Sequence, residues 1–429
     1  MTHSRTHHTP ARRNWLAAAA AATLLAVSGI GTATAATNEW GWPTPYEKVS
    51  DKSIAWLKEK GWWPLQVAFQ APWSGQNTVN IVMDRMGLLG TRGVEAKWTA
   101  FPSGPAINEV LISGRYQVGN GGNFPFTTLV DRKIPVKAIA IQSPNLLHAL
   151  VVPPDSPIKS IRDLKGQNPP ATIALVTGSS AEFYFQMAAQ INNIEIGKDV
   201  IMKNMPPGEQ MSMPRGITGV VAWDPTPTMM VEERKNGRIV DSIFPYNIYE
   251  GQFHLRSELA ENVPDVAQAF ADAFAEATLW TRMYPEKAAA LMAEDPNLKN
   301  YSKDILLQQI RAYNNLYKPT NIFPDGEFYG KVNEPIFKWL HDAKRITRPL
   351  KAEDFAAAVD DRFMRRTFEK LGWAVPKRPP YLPANWSGKP EQPPYPEYAN
   401  SLNTKKAQSF PEPGDLTKPW SFAGKIYQP

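Results

Sequence analysis

From Leu65 onward, apolar positions fall into short runs separated by longer stretches in which apolar residues recur at helical spacing. Residues 65–70 form an apolar run of strand length, and 76–86 are amphipathic with a helical period. Residues 94–101 alternate like a second strand. Pro102-Ser103-Gly104-Pro105 then opens a helix running through Ala106, Val110 and Leu111 to Gly114. A third strand is predicted over 116–118, its helix over 125–131, and a fourth strand over 136–141. Strands alternating with helices at this spacing predict a mainly parallel α/β sheet. In such sheets ligands bind beyond the carboxyl ends of the strands. The loops at 70–74, 101–104 and 119–123 leave such ends.

The pattern then repeats. Residues 147–153 are apolar, 172–175 read as a strand, and Val176-Thr177-Gly178-Ser179-Ser180 is a small polar loop before a helix through Phe183, Met187 and Ile191. Further strands are predicted over 199–202 and up to Trp223, which makes a second α/β domain. Residues 238–244 read as a return to the first domain. Residues 264–292 are the strongest helical stretch, with Val266, Phe270, Phe274, Ala277 and Trp280 on one face. Helices are also predicted over 304–313 and 335–343. At the other end, residues 38–61 hold Trp40, Trp42 and Trp56, which with Trp62 suit a packed lead-in with a helix near 52–60. From Val375 onward proline dominates, and a surface-lying or disordered tail is expected.

The first 35 residues stand apart. Arg5, Arg12 and Arg13 precede an apolar run over 16–30, followed by Ala33-Thr34-Ala35. A basic end, a short apolar run and a small-x-small site predict a cleaved export signal rather than a spanning helix. Ala11-Arg12-Arg13-Asn14-Trp15-Leu16 resembles a twin-arginine signal. Trp15 and Ala11 depart from that pattern, so twin-arginine and Sec routes both stay open. Without the leader, 44 basic residues face 41 acidic ones, so the net charge falls from +6 to about +3. That is too mild for a nucleic-acid surface. The chain has no cysteine, which excludes disulfides, thiolate catalysis, cysteine-ligated metals and cysteine lipidation. Export without a lipid anchor points to the periplasm.

Candidate chemistry centres on Gln117-Val118-Gly119-Asn120-Gly121-Gly122-Asn123-Phe124-Pro125. A strand ending at Val118, a glycine turn and a helix starting near Asn123 would aim unpaired N–H donors at one point, where a small anion can sit. Taken alone, such a stretch is more often a tight turn that binds nothing.

Several further stretches, in this order, resemble the periplasmic substrate-binding proteins of ATP-driven importers, in the nitrate, sulfonate and taurine group that also includes thiamine-pyrimidine binders. They are Ser103-Gly104-Pro105 with Leu111 to Gly119, the Gly121-Gly122-Asn123-Phe124-Pro125 loop, and Ser160 to Gly166. Gly178-Ser179-Ser180, Ala222-Trp223-Asp224-Pro225, and the helices from Pro264 to Ala289 follow. The likeness covers about residues 65–294. It implies a two-lobed periplasmic-binding-protein type II fold, each lobe a mainly parallel sheet flanked by helices, joined by two crossover segments. Lobe I would take 62–148 and 242–348, and lobe II 149–241. A lead-in at 36–61, a helical extension at 349–374 and the tail at 375–429 complete the division.

That resemblance implies a solute receptor of an importer, with a small-molecule ligand, an inner-membrane permease as partner and a monomeric state. No cofactor, metal or catalytic residue is expected. The N–H groups of Gly122 and Asn123, with Ser179 and Ser180 of the other lobe, would clamp an oxyanion. Trp73, Ser74, Phe124 and Trp223 would line the remainder. Asp224 has two readings, a turn or cap, or an ammonium contact. After the leader, His148, His254 and His341 are scattered with no zinc-type spacing, and there is no Gly-x-Ser-x-Gly or phosphate-loop motif. A pyrimidine-forming enzyme of the same fold uses a cysteine-rich iron site, which this chain cannot build. An enzyme in the same cleft and a sensor or scaffold with a proline-rich end are the competing functions.

Overall fold

The computed structural model describes residues 42, 44–73, 76–142, 146–243, 246, 249–313, 322–371, 420–422 and 425–427. The export signal, Trp40, Ser74 and the tail over 372–419 lie outside these.

The first lobe opens with α1 (Asp51–Glu59), whose N-cap Ser50 accepts from the Ser53 N–H. It continues through β1 (Leu65–Gln70), α2 (Gln76–Arg85), β2 (Ala96–Phe101), α3 (Gly104–Ile112), β3 (Val118–Gly122), α4 (Asn123–Asp131) and β4 (Val136–Gln142). The chain crosses into the second lobe with β5 (His148–Val152). There follow β6 (Ala171–Leu175), α5 (Ser180–Ile191), β7 (Val200–Asn204), α6 (Pro207–Gln210), β8 (Gly219–Trp223), α7 (Thr226–Thr228) and β9 (Arg238–Ser242). It returns with β10 (Gly251–Arg256). Then come α8 (Ser257–Asn262), α9 (Pro264–Met283), α10 (Pro285–Ala293), α11 (Lys303–Tyr313), α12 (Gly326–Asp342), α13 (Ala352–Ala357) and α14 (Arg362–Lys370). A short antiparallel pair, β11 (Trp420–Phe422) and β12 (Lys425–Tyr427), lies in the region read as a tail without regular structure.

Two five-stranded sheets result, in the orders β2-β1-β3-β10-β4 and β7-β6-β8-β5-β9. In the first sheet β1 pairs parallel with β2 and β3, while β10 runs antiparallel between β3 and β4. In the second, β6 pairs parallel with β7 and β8, and β5 runs antiparallel between β8 and β9. Each sheet therefore has one reversed strand, and in each it is the strand that brings the chain in from the other lobe. The mainly parallel, two-lobed α/β fold expected from the pattern is present.

Three local readings need correction. The stretch Gly119–Gly122 is not a turn but the body of β3, paired with β10 in the register Gly122↔Gly251 to Val118↔Leu255. Gly122 is the N-cap, at φ −65°, and Asn123 is the first helical residue. The glycines are needed for close approach, not for left-handed backbone. A Cβ at Gly119 would lie 2.8 Å from Leu111 and 3.0 Å from Ile107 on α3. Second, residues 238–242 are the edge strand of the second sheet, so the return to the first lobe comes only at β10. The helical stretch expected over 264–292 is present, as two helices with the break at Tyr284-Pro285, because proline opens a new helix there. Third, helix α12 begins nine residues before the predicted start, capped by Asp325, which accepts from the Phe328 N–H at 2.9 Å.

The lobe I core packs β1, β3 and β10 against α2 and α9, with Phe253 between Phe270 and Phe274. The opposite face of the sheet is covered by α3, α4 and α13, where Phe126 meets Phe355 edge-on at 5.3 Å.

Candidate functional site

Strands β1 and β3 of lobe I and β6 and β8 of lobe II end toward the boundary between the lobes, and short loops carry polar and aromatic residues there. Asn123 lies at its centre. It is 2% exposed. Its N–H donates to the Glu250 carbonyl at 2.9 Å, continuing the β3–β10 ladder by one bond. Its Oδ1 accepts from the Phe124 N–H at 3.0 Å and from the Ser180 hydroxyl at 3.3 Å. Ser180 opens α5, so this last bond joins the start of a lobe I helix to the start of a lobe II helix. A Cβ at Gly122 would lie 2.6 Å from Ser180 Oγ and 2.8 Å from the Tyr249 ring. The two helix starts are thus in contact, and glycine is what permits it.

A buried carboxyl extends this network. The Asn123 side-chain amide faces Glu250 Oε2 at 3.5 Å and Asn333 Oδ1 at 3.4 Å, and Asn333 of α12 donates to Glu250 Oε1 at 2.6 Å. Glu250 is fully buried, and loss of solvation pushes its pKa up to about 8, against the lowering effect of the Asn333 bond. That shift favours the protonated, uncharged carboxyl near neutral pH.

The aromatic residues fall into one group. Trp73 is 1% exposed and meets Tyr249 edge-on at 6.4 Å. His148, on the first crossover, lies 4.6 Å from the Tyr249 ring, with Nδ1 3.1 Å from the Leu146 carbonyl. Burial depresses the His148 pKa to about 4. Trp223 of lobe II donates through Nε1 to the Pro72 carbonyl of lobe I at 2.9 Å, a second bond across the boundary. Phe124 packs against Phe183 of α5 with ring centroids 5.9 Å apart.

The sequence-derived candidates therefore divide. Gly122, Asn123, Phe124, Ser180, Trp73 and Trp223 come together between the lobes. Ser74 lies outside the described residues. Ser179 caps α5: its hydroxyl donates to the Val176 carbonyl at 2.7 Å and accepts from the Glu182 N–H at 3.3 Å. Asp224 accepts from Thr228 Oγ1 at 2.7 Å and from its N–H at 3.2 Å, and its other oxygen accepts from Tyr313 at 2.7 Å. Burial raises its pKa to about 6, with those same bonds opposing. The backbone amide of Asn123, expected to point at an anion, is occupied by the Glu250 carbonyl instead. Tyr249, Glu250 and Asn333 were not foreseen. They stand 126, 127 and 210 positions from Asn123, and no local spacing marks them.

Among the described residues no three acidic or histidine side chains gather as a metal site, and no helix is long and apolar enough to cross a membrane.

Residues 93–288 match the family model described as NMT1/THI5 like. The taurine-binding periplasmic protein of Escherichia coli (strain K12) is 23% identical over 299 residues, which is 64% of this chain and 85% of that protein. Among solved structures, the alkanesulfonate-binding protein SsuA from Xanthomonas axonopodis pv. citri, bound to MOPS, superposes with a TM-score of 0.58 at 15% identity. That match covers 69% of this chain and 97% of SsuA. The periplasmic nitrate-binding protein NrtA from Synechocystis PCC 6803 gives a TM-score of 0.59 at 13% identity, over 73% and 91% of the two chains. Over residues 93–288 the chain is similar to the NMT1/THI5-like family, over a longer stretch it is similar to a periplasmic taurine-binding protein, and it has the periplasmic-binding-protein fold.

Proposed function

We propose that the protein is an exported solute receptor that takes a small oxyanion-bearing organic molecule between its lobes and delivers it to an ATP-driven permease in the inner membrane. The observation that carries this reading is the contact of the α4 and α5 starts through Asn123 and Ser180. Where two helix starts from opposite lobes meet through a side-chain hydrogen bond, a ligand with equivalent acceptors can take its place when the lobes part. The Ser180 hydroxyl and the Asn123 carboxamide supply side-chain donors, and the protonated Glu250 keeps negative charge away from them. Trp73, Trp223 and Phe124 wall the apolar part of the solute. Asp224 anchors α7 to α11 and Ser179 caps α5, so both shape the site rather than touch the solute.

The test is a thermal-shift screen with taurine, MOPS and nitrate as probes, with the probe recovered and weighed by mass spectrometry. A receptor gains about 2.7 kcal/mol of stability at a hundredfold excess over Kd and returns the probe unchanged. A chemically altered probe would make the cleft that of an enzyme. Stabilisation by none of the three, with no small molecule co-purifying in native mass spectrometry, would overturn the reading.

A further inference from the structure

Helix α12 lies beyond the family-matched residues 93–288, yet it touches the boundary between the lobes at three levels. It is fixed to lobe I. Phe337 stacks on Phe355, which meets Phe126 of α4. Just past the helix, the Thr347 N–H and hydroxyl both reach the Asp131 carboxylate at the end of α4, at 3.0 and 3.1 Å. From this base, Asn333 enters the Glu250–Asn123 network. Six residues on, Trp339 meets Phe183 of α5 edge-on at 5.1 Å, and its Nε1 donates to Gln190 Oε1 at 2.5 Å. Arg345 pairs with Glu182 in the first turn of α5. Glu182 is 2% exposed and also accepts from the Gly178 N–H at 2.6 Å and from Gln186 at 2.7 Å.

These contacts differ in what an opening motion does to them. Hinge movement leaves contacts within a lobe intact and separates those between lobes. The Phe337, Thr347 and Asn333 contacts stay within lobe I. The Trp339–Gln190, Trp339–Phe183 and Arg345–Glu182 contacts must break if α5 moves away. They run along one side of α5, whose first residue, Ser180, meets Asn123. We propose that residues 326–345 form a strap fastening lobe II to lobe I, with Trp339 and Arg345 as positioning residues that set the balance between closed and open lobes. On the solute-receptor reading, the same strap sets how long a solute stays bound. The geometric claim needs no solute.

The absence of cysteine makes the test direct. Lys97→Cys on β2 and Lys203→Cys on β7 place one exposed label on an edge strand of each sheet. Spin-label distances are then measured in the full chain without added solute, with and without Trp339→Ala plus Arg345→Gln. The strap predicts one short, narrow distance in the parent. In the variant the open fraction rises from a minor state, on the order of a few per cent, to half or more. An unchanged distribution in a folded variant overturns the proposal. Should the double variant fail to fold, Gln190→Ala removes only the exposed acceptor of Trp339. It predicts a smaller shift in the same direction, and no shift overturns the strap. Because the readout is made without solute, failure of the strap and failure of solute binding are separate results.

Discussion

At Gly122 an added methyl group would lie 2.6 Å from a hydroxyl of the other lobe, and at Gly119 it would lie 2.8 Å from a leucine of its own lobe. The two positions therefore fail differently. Gly119→Ala overpacks α3 against β3 and is expected to cost about 1–3 kcal/mol in urea unfolding. Gly122→Ala meets Ser180 of the other lobe, which moves away on opening, so it should shift the lobes apart and weaken solute binding at least tenfold with a smaller change in melting temperature. Equal stability losses for the two would contradict this. Buried titratable groups give a second prediction. Glu250 is raised from 4.5 to about 8, so the folded state binds the extra proton and stability falls as pH rises through that window. His148 is lowered from 6.5 to about 4, so stability falls as pH drops through that range. Above pH 6.5, where His148 no longer opposes it, the melting temperature should fall toward pH 8, and Glu250→Gln should reduce that fall. The glycines were legible in the sequence, but their reason was not. Spacing shows where a Cβ is missing, whereas only the partner strand and helix show what occupies the space.

The lead-in shows how an element is tied down by residues far apart in sequence. Arg92, just before the β2 strand, pairs with Glu276 of α9 at 2.7 Å, and both are buried. Tyr46 donates to Glu276 at 2.7 Å, and the guanidinium lies 4.9 Å from the Tyr46 ring and 5.8 Å from that of Trp42. Removing one partner leaves a charge without its counterion. Arg92→Ala is expected to lose about 3–5 kcal/mol in denaturant unfolding, while Arg92→Met with Glu276→Leu should recover most of it. If the single substitution costs no more than a surface change, the pair is not what holds the lead-in. The longer helices were readable, because helical period and caps are local properties, while the short α6, α7 and α8 carry too few turns to show a period and were not foreseen. Element limits were less so: α12 starts at an Asp-Gly step that reads as a turn, and β3 continues into glycines that only pairing with β10 keeps extended.

Over the whole molecule, two sheets of matching order meet along a boundary crossed by Ser180–Asn123, Trp223–Pro72, Tyr313–Asp224 and the α12 contacts. The first two belong to loops at strand ends, where an α/β sheet places ligands in any case. The others come from residues after the family-matched region, and they make closure a property of the entire chain. The sequence by itself determined the alternation of strands and helices, the doubling into two α/β units and the loops that would face one another, because each follows from local period, composition and turn chemistry. Tertiary structure alone decided that the Asn123 amide completes a ladder, that Glu250 and Asn333 stand beside it, and that a late helix reaches across to α5. These are pairings between positions more than a hundred residues apart, settled by which surfaces exclude water together rather than by any pattern along the chain.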